Sequence, residues 1–311
     1  MFNYVFVFFA GVFMLTGNLF AQSYWGMAPD KVRSMLNEKF LAVQGEKSDV
    51  FQVKDRTIDH EGRTTPLRIY TPGDKKNYPI ILYIHGGAWV AGNLDTHDNL
   101  ARYLCKGAEA IVVSVGYLNA PEGKFPGSLE QCYDALLWTV KNTDELHGDK
   151  KRLAVVGDSA GGNMAAALCL LARDRNGPKI DFQVLINPVI DNTWGGTLEP
   201  KGDEMDSERW IASQYVKNPE DVKNPYVSPN FAKDLTHLPP ALIILAENDM
   251  FRKSAKEYAD RLIAAGVPVN IYTQWGVGHL AGNGARASKL ARESLDVAVA
   301  GLKGEFYRIG Q

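Results

Sequence analysis

Apolar runs of strand length alternate with longer amphipathic stretches through most of this chain. The runs fall at about 79–85, 110–116, 152–157, 182–187, 241–246 and 268–273. Between the last two, Ser254 to Ala265 repeats apolar side chains every three or four residues, the period of a helix packed on one side. Strands that alternate with such helices predict an α/β fold, with a mostly parallel central sheet covered by helices on both faces.

Further segments surround this core pattern. Residues 51–59 and 64–70 predict a β-hairpin turned at His60-Glu61-Gly62. Residues 22–48 contain a helix-like stretch, and residues 190–235 are polar, rich in aromatic side chains and interrupted by Pro and Gly. Because α/β folds of this length often form one domain, we expect a single domain over residues 22–311, with these two segments outside its core.

The N-terminal residues predict an export signal, residues 1–21. Tyr4 to Leu15 is an uncharged apolar run, and Ala21 is a suitable last residue before cleavage. The run fits the roughly 7–15 residues of a signal-peptide core better than the about 20 residues of a membrane span. No basic residue precedes the run, so an uncleaved leader that anchors the protein to a membrane is the alternative. Cleavage would leave a periplasmic or secreted protein without stable membrane insertion.

Charge and cysteine content exclude several classes of protein. The formal net charge is -2, which argues against nucleic acid as a partner. Cys105, Cys132 and Cys169 are an odd number of cysteines in predicted helices, which favours buried free thiols over a disulfide. The sequence contains no motif with metal-ligand spacing, so we expect neither a metal nor another cofactor.

A G-x-S-x-G pentapeptide stands at the end of the apolar run near 152–157. Its residues are Gly157-Asp158-Ser159-Ala160-Gly161, and a helix rich in small residues follows. Between a strand and a helix, this motif exposes a serine hydroxyl at the top of a sheet, and its glycines avoid clashes where the two elements nearly touch. Asn163 stands where a phosphate-binding loop needs lysine, which excludes that alternative. The sequence therefore predicts Ser159 as a nucleophile.

A nucleophilic serine also needs N–H donors for the oxyanion that forms on its substrate. An earlier apolar run leads into His85-Gly86-Gly87-Ala88-Trp89, whose small residues allow main-chain N–H groups to converge on one point. A further donor is expected from Ala160, the residue after the nucleophile. We expect His85 to orient this turn rather than to act as the catalytic base.

The acid and the base are expected later in the chain, in the order Ser, acid, His. Asp249 and His279 each follow a late apolar run, and parallel strands share a C-terminal edge, so both side chains should approach Ser159. We favour Asp249 over Glu247 as the acid because Asp249 lies in the loop proper. Four other histidines fall in polar turns or helix starts and are expected to be solvent-exposed: His60, His97, His147 and His237.

In combination, these motifs resemble the hormone-sensitive-lipase-like branch of the α/β-hydrolases over roughly residues 50–300. Other stretches carry the same resemblance: Tyr117…Ala120-Pro121-Glu122, Pro225-Tyr226-Val227-Ser228-Pro229 and Leu238-Pro239-Pro240-Ala241. The resemblance implies an α/β-hydrolase fold with a helical cap formed by about 22–48 and 190–235.

The resemblance also implies roles for individual residues. Ser159, Asp249 and His279 match the catalytic positions, and Gly87, Ala88 and Ala160 match the oxyanion donors. His85, Gly86, Gly157, Asp158 and Gly161 complete the two motifs. Four aromatic residues are candidates for lining a substrate pocket: Trp89, Trp194, Trp210 and Tyr215.

The expected activity is hydrolysis of short- to medium-chain carboxylic esters through an acyl-enzyme. The same triad would serve an acetylesterase acting on a carbohydrate, or an amidase. A ligand-binding protein on a hydrolase scaffold is less favoured, because such proteins typically lose the catalytic histidine and His279 is present here. A homodimer through the sheet edge near 268–275 is compatible with this sequence.

Overall fold

The computed structural model describes residues 24, 26–193, 207–279 and 289–308, which fold as alternating strands and helices. The strands are β1 (Gln52–His60), β2 (Arg63–Thr71), β3 (Tyr78–Ile84), β4 (Ile111–Val115), β5 (Gly148–Asp158), β6 (Phe182–Ile186), β7 (Ala241–Asn248) and β8 (Val269–Gly278). The helices are α1 (Pro29–Val43), α2 (Asp98–Ala108), α3 (Gly127–Lys141), α4 (Thr143–Leu146), α5 (Ala160–Asp174), α6 (Ser207–Tyr215), α7 (Arg252–Ala264) and α8 (Lys289–Arg308).

The described strands form one sheet in the order β1-β2-β4-β3-β5-β6-β7-β8. The predicted hairpin of β1 and β2 is antiparallel, and β2 pairs antiparallel with β4. All the pairs from β4 to β8 are parallel. The expectation of a mostly parallel central sheet is therefore confirmed, and the carboxyl ends of β3, β5, β7 and β8 lie along one edge.

Helices cover both faces of this sheet, as the alternating pattern predicts. Side chains of β3 point alternately to two separate apolar clusters, Ile80 and Leu82 to one, Ile81 and Tyr83 to the other. The first cluster includes side chains of α1, α3, α5 and α7, and the second includes those of α2 and α8. The three cysteines are buried free thiols, as expected.

The two segments predicted to lie outside the alternating core pattern, 22–48 and 190–235, contain helices in their described parts. Residues 29–43 form α1, and the second segment contains α6 followed by short 3-10 helices at Pro219–Lys223 and Pro229–Phe231. The predicted leader, residues 1–21, lies outside the described residues. Among the helices that are described, none is both long and apolar enough to cross a membrane.

Candidate active site

Ser159 occupies the sharp turn between β5 and α5. Its backbone has φ 54° and ψ -119°, a strained conformation for a residue with a side chain. The flanking glycines make the turn possible, because a Cβ on Gly157 would lie 2.2 Å from the carbonyl oxygen of Gly161. A Cβ on Gly161 would in turn lie 2.1 Å from the carbonyl oxygen of Ile84. The turn holds the serine at the carboxyl edge of the sheet.

Two loops bring an imidazole and a carboxylate to this serine. Asp249 directly follows β7, and His279 directly follows β8, the strand that pairs with β7. Nε2 of His279 lies 2.9 Å from Oγ of Ser159, and Nδ1 lies 2.7 Å from Oδ2 of Asp249. A carboxylate only accepts hydrogen bonds, so Nδ1 carries the ring proton and Nε2 accepts from the serine hydroxyl. The three residues therefore meet in one hydrogen-bonded chain.

Neighbouring groups hold the acid and the base in this arrangement. Oδ1 of Asp249 accepts the N–H of Phe251 at 2.9 Å, and the Phe251 ring meets the His279 ring nearly edge-on at 4.9 Å between centroids. Glu247, the less favoured acid, accepts the N–H of Gly276 at 2.7 Å on the strand that leads to His279. Asp249 is thus the carboxylate in contact with the imidazole.

The predicted oxyanion turn, His85 to Trp89, adjoins the serine because β3 and β5 are neighbours in the sheet. Ile84 at the end of β3 pairs with Gly157, so the chain leaves both strands side by side. Gly87 has φ 123°, and a Cβ there would lie 2.2 Å from the carbonyl oxygen of Ala91. The next two residues are also left-handed, Ala88 at φ 54° and Trp89 at φ 58°. The N–H of Ala91 closes the turn on the carbonyl of Gly87 at 2.9 Å.

Buried polar groups hold the peptide units at the start of this turn. Oδ1 of Asp158 accepts the N–H of Gly86 at 3.1 Å and the hydroxyl of Tyr83 at 2.7 Å. The hydroxyl of Tyr117 donates to the carbonyl of His85 at 2.9 Å. Nδ1 of His85 lies 2.8 Å from the carbonyl oxygen of Gly86 and therefore donates to it. The peptide planes on both sides of Gly86 are held in this way.

Burial sets the ionisation of these groups. It lowers the pKa of the His85 imidazole to about 3, and the neighbouring His97 acts in the same direction, so the His85 ring is neutral. Burial alone would raise the pKa of the Asp158 carboxyl. The neighbouring His97 imidazole and the hydrogen bond from the Tyr83 hydroxyl outweigh burial and hold that pKa below its ordinary value. Asp158 is therefore a buried carboxylate.

Helix α1 holds the far side of the oxyanion turn. Nε of Arg33 donates to the carbonyl of Val90 at 2.9 Å, and a second guanidinium nitrogen donates to the carbonyl of Ala120 at 2.8 Å. Oδ1 of Asn37 accepts the N–H of Gly92 at 2.8 Å. Residues of α1 thus supply hydrogen bonds to the backbone just beyond the turn.

Three of the four aromatic residues expected at a substrate pocket, Trp89, Trp210 and Tyr215, are buried in contact with other aromatic rings. The Trp89 and Tyr215 rings stack at 4.7 Å between centroids with an interplanar angle of 15°. Trp210 packs against Tyr24 at 5.8 Å between centroids. The Trp89–Tyr215 stack packs α6 against the oxyanion turn, and a role in substrate binding stays a prediction. Trp194 lies outside the described residues.

The expectation of a solvent-exposed His97 is wrong. His60, His147 and His237 are exposed, but only 2% of His97 is accessible to solvent. Its ring stacks on His85 at 5.2 Å between centroids, and the Phe40 ring of α1 meets it at 5.6 Å. The surrounding Asp95-Thr96-His97-Asp98 is polar, so no local signal of burial exists. The residues that cover His97 come from distant parts of the chain.

Comparison with known proteins agrees with this geometry. A family model described as the alpha/beta hydrolase fold matches residues 81–282, a span that contains the serine turn, the oxyanion turn, Asp249 and His279. The chain belongs to the α/β-hydrolase family. The resemblance to the hormone-sensitive-lipase-like branch is thereby confirmed.

Relatives of this hydrolase carry the names of esterases. It is 36% identical to an arylesterase of Saccharolobus solfataricus over 250 residues, 76% of this chain and 79% of that protein. It is 37% identical to the carboxylesterase NlhH of Mycobacterium tuberculosis over 265 residues, 81% of this chain and 82% of that protein. The solved hyperthermophilic esterase of Pyrobaculum calidifontis superposes with a TM-score of 0.83 at 37% identity, covering 89% of this chain and 94% of that one.

Proposed function

We propose that this hydrolase cleaves carboxylic esters through a serine acyl-enzyme. The observation that carries the proposal is the hydrogen-bonded chain from Asp249 through His279 to Ser159, with distances of 2.7 Å and 2.9 Å. Hydroxyl, imidazole and carboxylate in this order convert a weak nucleophile into one that attacks a carbonyl. The esterase names of its relatives support the same reaction class.

The proposed reaction proceeds in two half-reactions. Nε2 of His279 removes the proton of the Ser159 hydroxyl as Oγ attacks the ester carbonyl, and Asp249 stabilises the resulting imidazolium. The N–H groups of Gly87, Ala88 and Ala160 receive the oxyanion of the tetrahedral intermediate. The imidazolium then protonates the departing alcohol. Water, deprotonated by the same imidazole, attacks the acyl-enzyme and releases the carboxylic acid.

We propose esters with short to medium acyl chains as substrates. The reacting groups are largely covered, since Ser159 is 2% exposed and the His279 side chain is 4% exposed. A covered site disfavours an extended lipid interface and favours small esters that enter it whole.

A series of p-nitrophenyl esters from acetate to dodecanoate tests this proposal. We expect wild-type activity to be highest on the short chains and to be lost in Ser159→Ala. A fluorophosphonate probe should label wild-type protein at Ser159 and leave Ser159→Ala unlabelled. A folded wild-type protein that neither turns over any ester nor reacts with the probe would contradict the proposal. If the protein hydrolysed only acetylated sugars or only amides, the proposed substrate class would change to those compounds.

Export and self-association are further proposals about this hydrolase. N-terminal sequencing of the mature protein should begin at Gln22 if the leader is cleaved after Ala21. β8 is an edge strand of the sheet and leaves Trp275 64% exposed, which supports the proposed homodimer through this edge. Sedimentation of Trp275→Lys against wild type tests the dimer, since the charge should shift the chain toward monomer.

A further inference from the structure

A second histidine–aspartate pair lies behind the oxyanion turn. Nε2 of His97 lies 3.7 Å from Oδ2 of Asp158, and both side chains are almost completely buried, at 2% and 3% exposure. Neither atom has a hydrogen-bond partner among the described residues. Asp158 is the residue immediately before the nucleophile, whereas His97 precedes α2. The reaction proposed above uses neither side chain.

The surroundings of His97 determine where its proton lies. Nδ1 is 2.9 Å from the hydroxyl of Thr96, whose single proton can be directed either at Nδ1 or at the carbonyl oxygen of Asn93, 3.0 Å away, so this contact allows Nδ1 to accept or to donate. Nε2 faces a carboxylate, which only accepts. A bare lone pair at Nε2 would repel that carboxylate, so Nε2 carries a proton directed at Oδ2 of Asp158. The pair compensates the buried charge of Asp158 across 3.7 Å.

Asp158 connects His97 to the backbone of the oxyanion turn. Through Oδ1 it holds the N–H of Gly86, and a Cβ added to Gly86 would lie 2.5 Å from Oδ2. The carboxylate therefore sits directly against the Gly86 backbone. On the other side of this residue, the carbonyl of Gly86 shares a planar peptide unit with the N–H of Gly87. Any rotation of that peptide redirects the Gly87 N–H.

His97 acts on the same peptide unit through His85. The two imidazole rings stack at 5.2 Å with an interplanar angle of 28°, and Tyr117 stacks on the other face of His85 at 4.2 Å. Held between these rings, His85 donates from Nδ1 to the carbonyl of Gly86. The His85 plane thus fixes the direction of that carbonyl, and with it the direction of the Gly87 N–H.

We propose that His97 and Asp158 are positioning residues, which aim the Gly87 N–H at the oxyanion of the tetrahedral intermediate. This inference rests on the proposed ester hydrolysis, in which Gly87 is an oxyanion donor. The pair acts on the transition state rather than on substrate binding, because the oxyanion exists only after the serine has attacked. Its loss should therefore lower kcat and leave KM nearly unchanged.

The test compares His97→Phe with a matched control, His60→Phe. Phenylalanine preserves the ring stack on His85 but removes the N–H directed at Asp158. His60 is likewise an imidazole beside a buried aspartate, with Nε2 3.8 Å from Oδ1 of Asp134, but it lies at the tip of the β1–β2 hairpin. Active enzyme is counted by titration with an organophosphate, so that kcat refers to folded protein only.

We expect His97→Phe to lower kcat by roughly 10- to 100-fold and to change KM by less than about 3-fold. Affinity for a trifluoromethyl ketone, whose serine adduct carries an oxyanion, should fall by the same factor as kcat/KM. His60→Phe should leave all three quantities at wild-type values. His97→Gln, which retains an N–H donor, should recover most of kcat.

The outcomes separate this inference from the proposed function. Wild-type turnover that is lost in Ser159→Ala reports on ester hydrolysis alone, and the ratio of variant to wild type reports on the positioning pair. A His97→Phe enzyme with wild-type kcat and wild-type inhibitor affinity would overturn the inference, as would a loss confined to KM. If His97→Phe does not fold, Asp158→Asn, which preserves side-chain volume, must show the same fall in kcat with unchanged KM.

Discussion

Two histidine–aspartate pairs flank Ser159, and they differ in how each is connected to the reaction. In the first, Nδ1 of His279 lies 2.7 Å from Asp249, and the other nitrogen reaches the serine hydroxyl. In the second, Nε2 of His97 lies 3.7 Å from Asp158, and within the described part of the chain the carboxylate accepts hydrogen bonds from the Gly86 N–H and the Tyr83 hydroxyl. In the proposed reaction, the same two residue types thus supply a proton acceptor on one side of the serine and support the backbone on the other.

The difference follows from where each pair enters the fold. Asp249 and His279 stand on loops at the carboxyl ends of neighbouring strands, where an imidazole can reach the serine. Asp158 belongs to β5 itself and lies beneath the turn, so its partner His97 is sealed between His85 and Phe40. A buried imidazole without access to substrate can orient other groups but cannot exchange a proton with the substrate.

Removing the base of the first pair should have the largest effect on the reaction. We expect His279→Gln to lower kcat by about 10⁵- to 10⁶-fold, because His279 is the one side chain hydrogen-bonded to the serine hydroxyl among the described residues. Steady-state hydrolysis of p-nitrophenyl acetate measures this loss. His237→Gln, a change at an exposed histidine, serves as the control and should retain full activity. A His279→Gln enzyme within 100-fold of wild type would mean that another base serves Ser159.

The two aspartates provide the direct comparison between the pairs. Asp249→Asn should lower kcat by about 10⁴-fold, since an amide can no longer fix the productive imidazole tautomer or stabilise the imidazolium. Asp158→Asn should cost only roughly 10- to 100-fold, because it disturbs one oxyanion donor. Both variants are assayed with the same ester after active-site titration. Equal losses in the two would show that the pairs do not differ in role.

The free energy of unfolding at acid pH should show that His85, which links the second pair to the oxyanion turn, is neutral in the folded protein. The pKa of His85 is about 3 in the folded protein, below its ordinary value of 6.5. Between these values the unfolded chain binds the extra proton, so His85 lowers the free energy of unfolding by roughly 1.4 kcal/mol for each pH unit below 6.5. Above pH 6.5 this effect is absent.

His85→Asn should remove that part of the pH dependence. Between pH 7 and pH 4 the difference in unfolding free energy between wild type and variant should change by about 3 kcal/mol, with wild type losing more. Urea unfolding at pH 7, 6, 5 and 4 measures both curves. Parallel curves would mean that the folded protein binds the same proton on His85 as the unfolded chain, contrary to the lowered pKa that burial gives this ring.

The smallest expected effect comes from removing the hydrogen bonds that α1 makes to the backbone next to the oxyanion turn. Arg33→Gln removes guanidinium donors from the carbonyls of Val90 and Ala120. We expect the free energy of unfolding to fall by about 1–2 kcal/mol and kcat by roughly 3- to 10-fold. Lys39→Gln, an exposed change on the same helix, is the control for both measurements. An unchanged kcat would limit Arg33 to holding α1 in place.

Several features of this hydrolase are readable from local sequence because they depend on neighbouring residues. Ser159 is identified by the glycines around it, since only their missing Cβ atoms allow its φ of 54°. The strands are identified by apolar runs, because side chains of strands such as β3 are buried on both faces. The placement of Asp249 and His279 follows from their positions after parallel strands.

Other features were decided only by the tertiary structure. His97 stands in a polar stretch and looks solvent-exposed, yet Phe40, His85 and Asp158 enclose it from segments far apart in sequence. The hydrogen bonds between Arg33 and Val90 and between Asn37 and Gly92 likewise join α1 to backbone more than fifty residues later in the chain. A buried polar residue is stable only with its partners, and partners supplied by distant segments leave no local pattern.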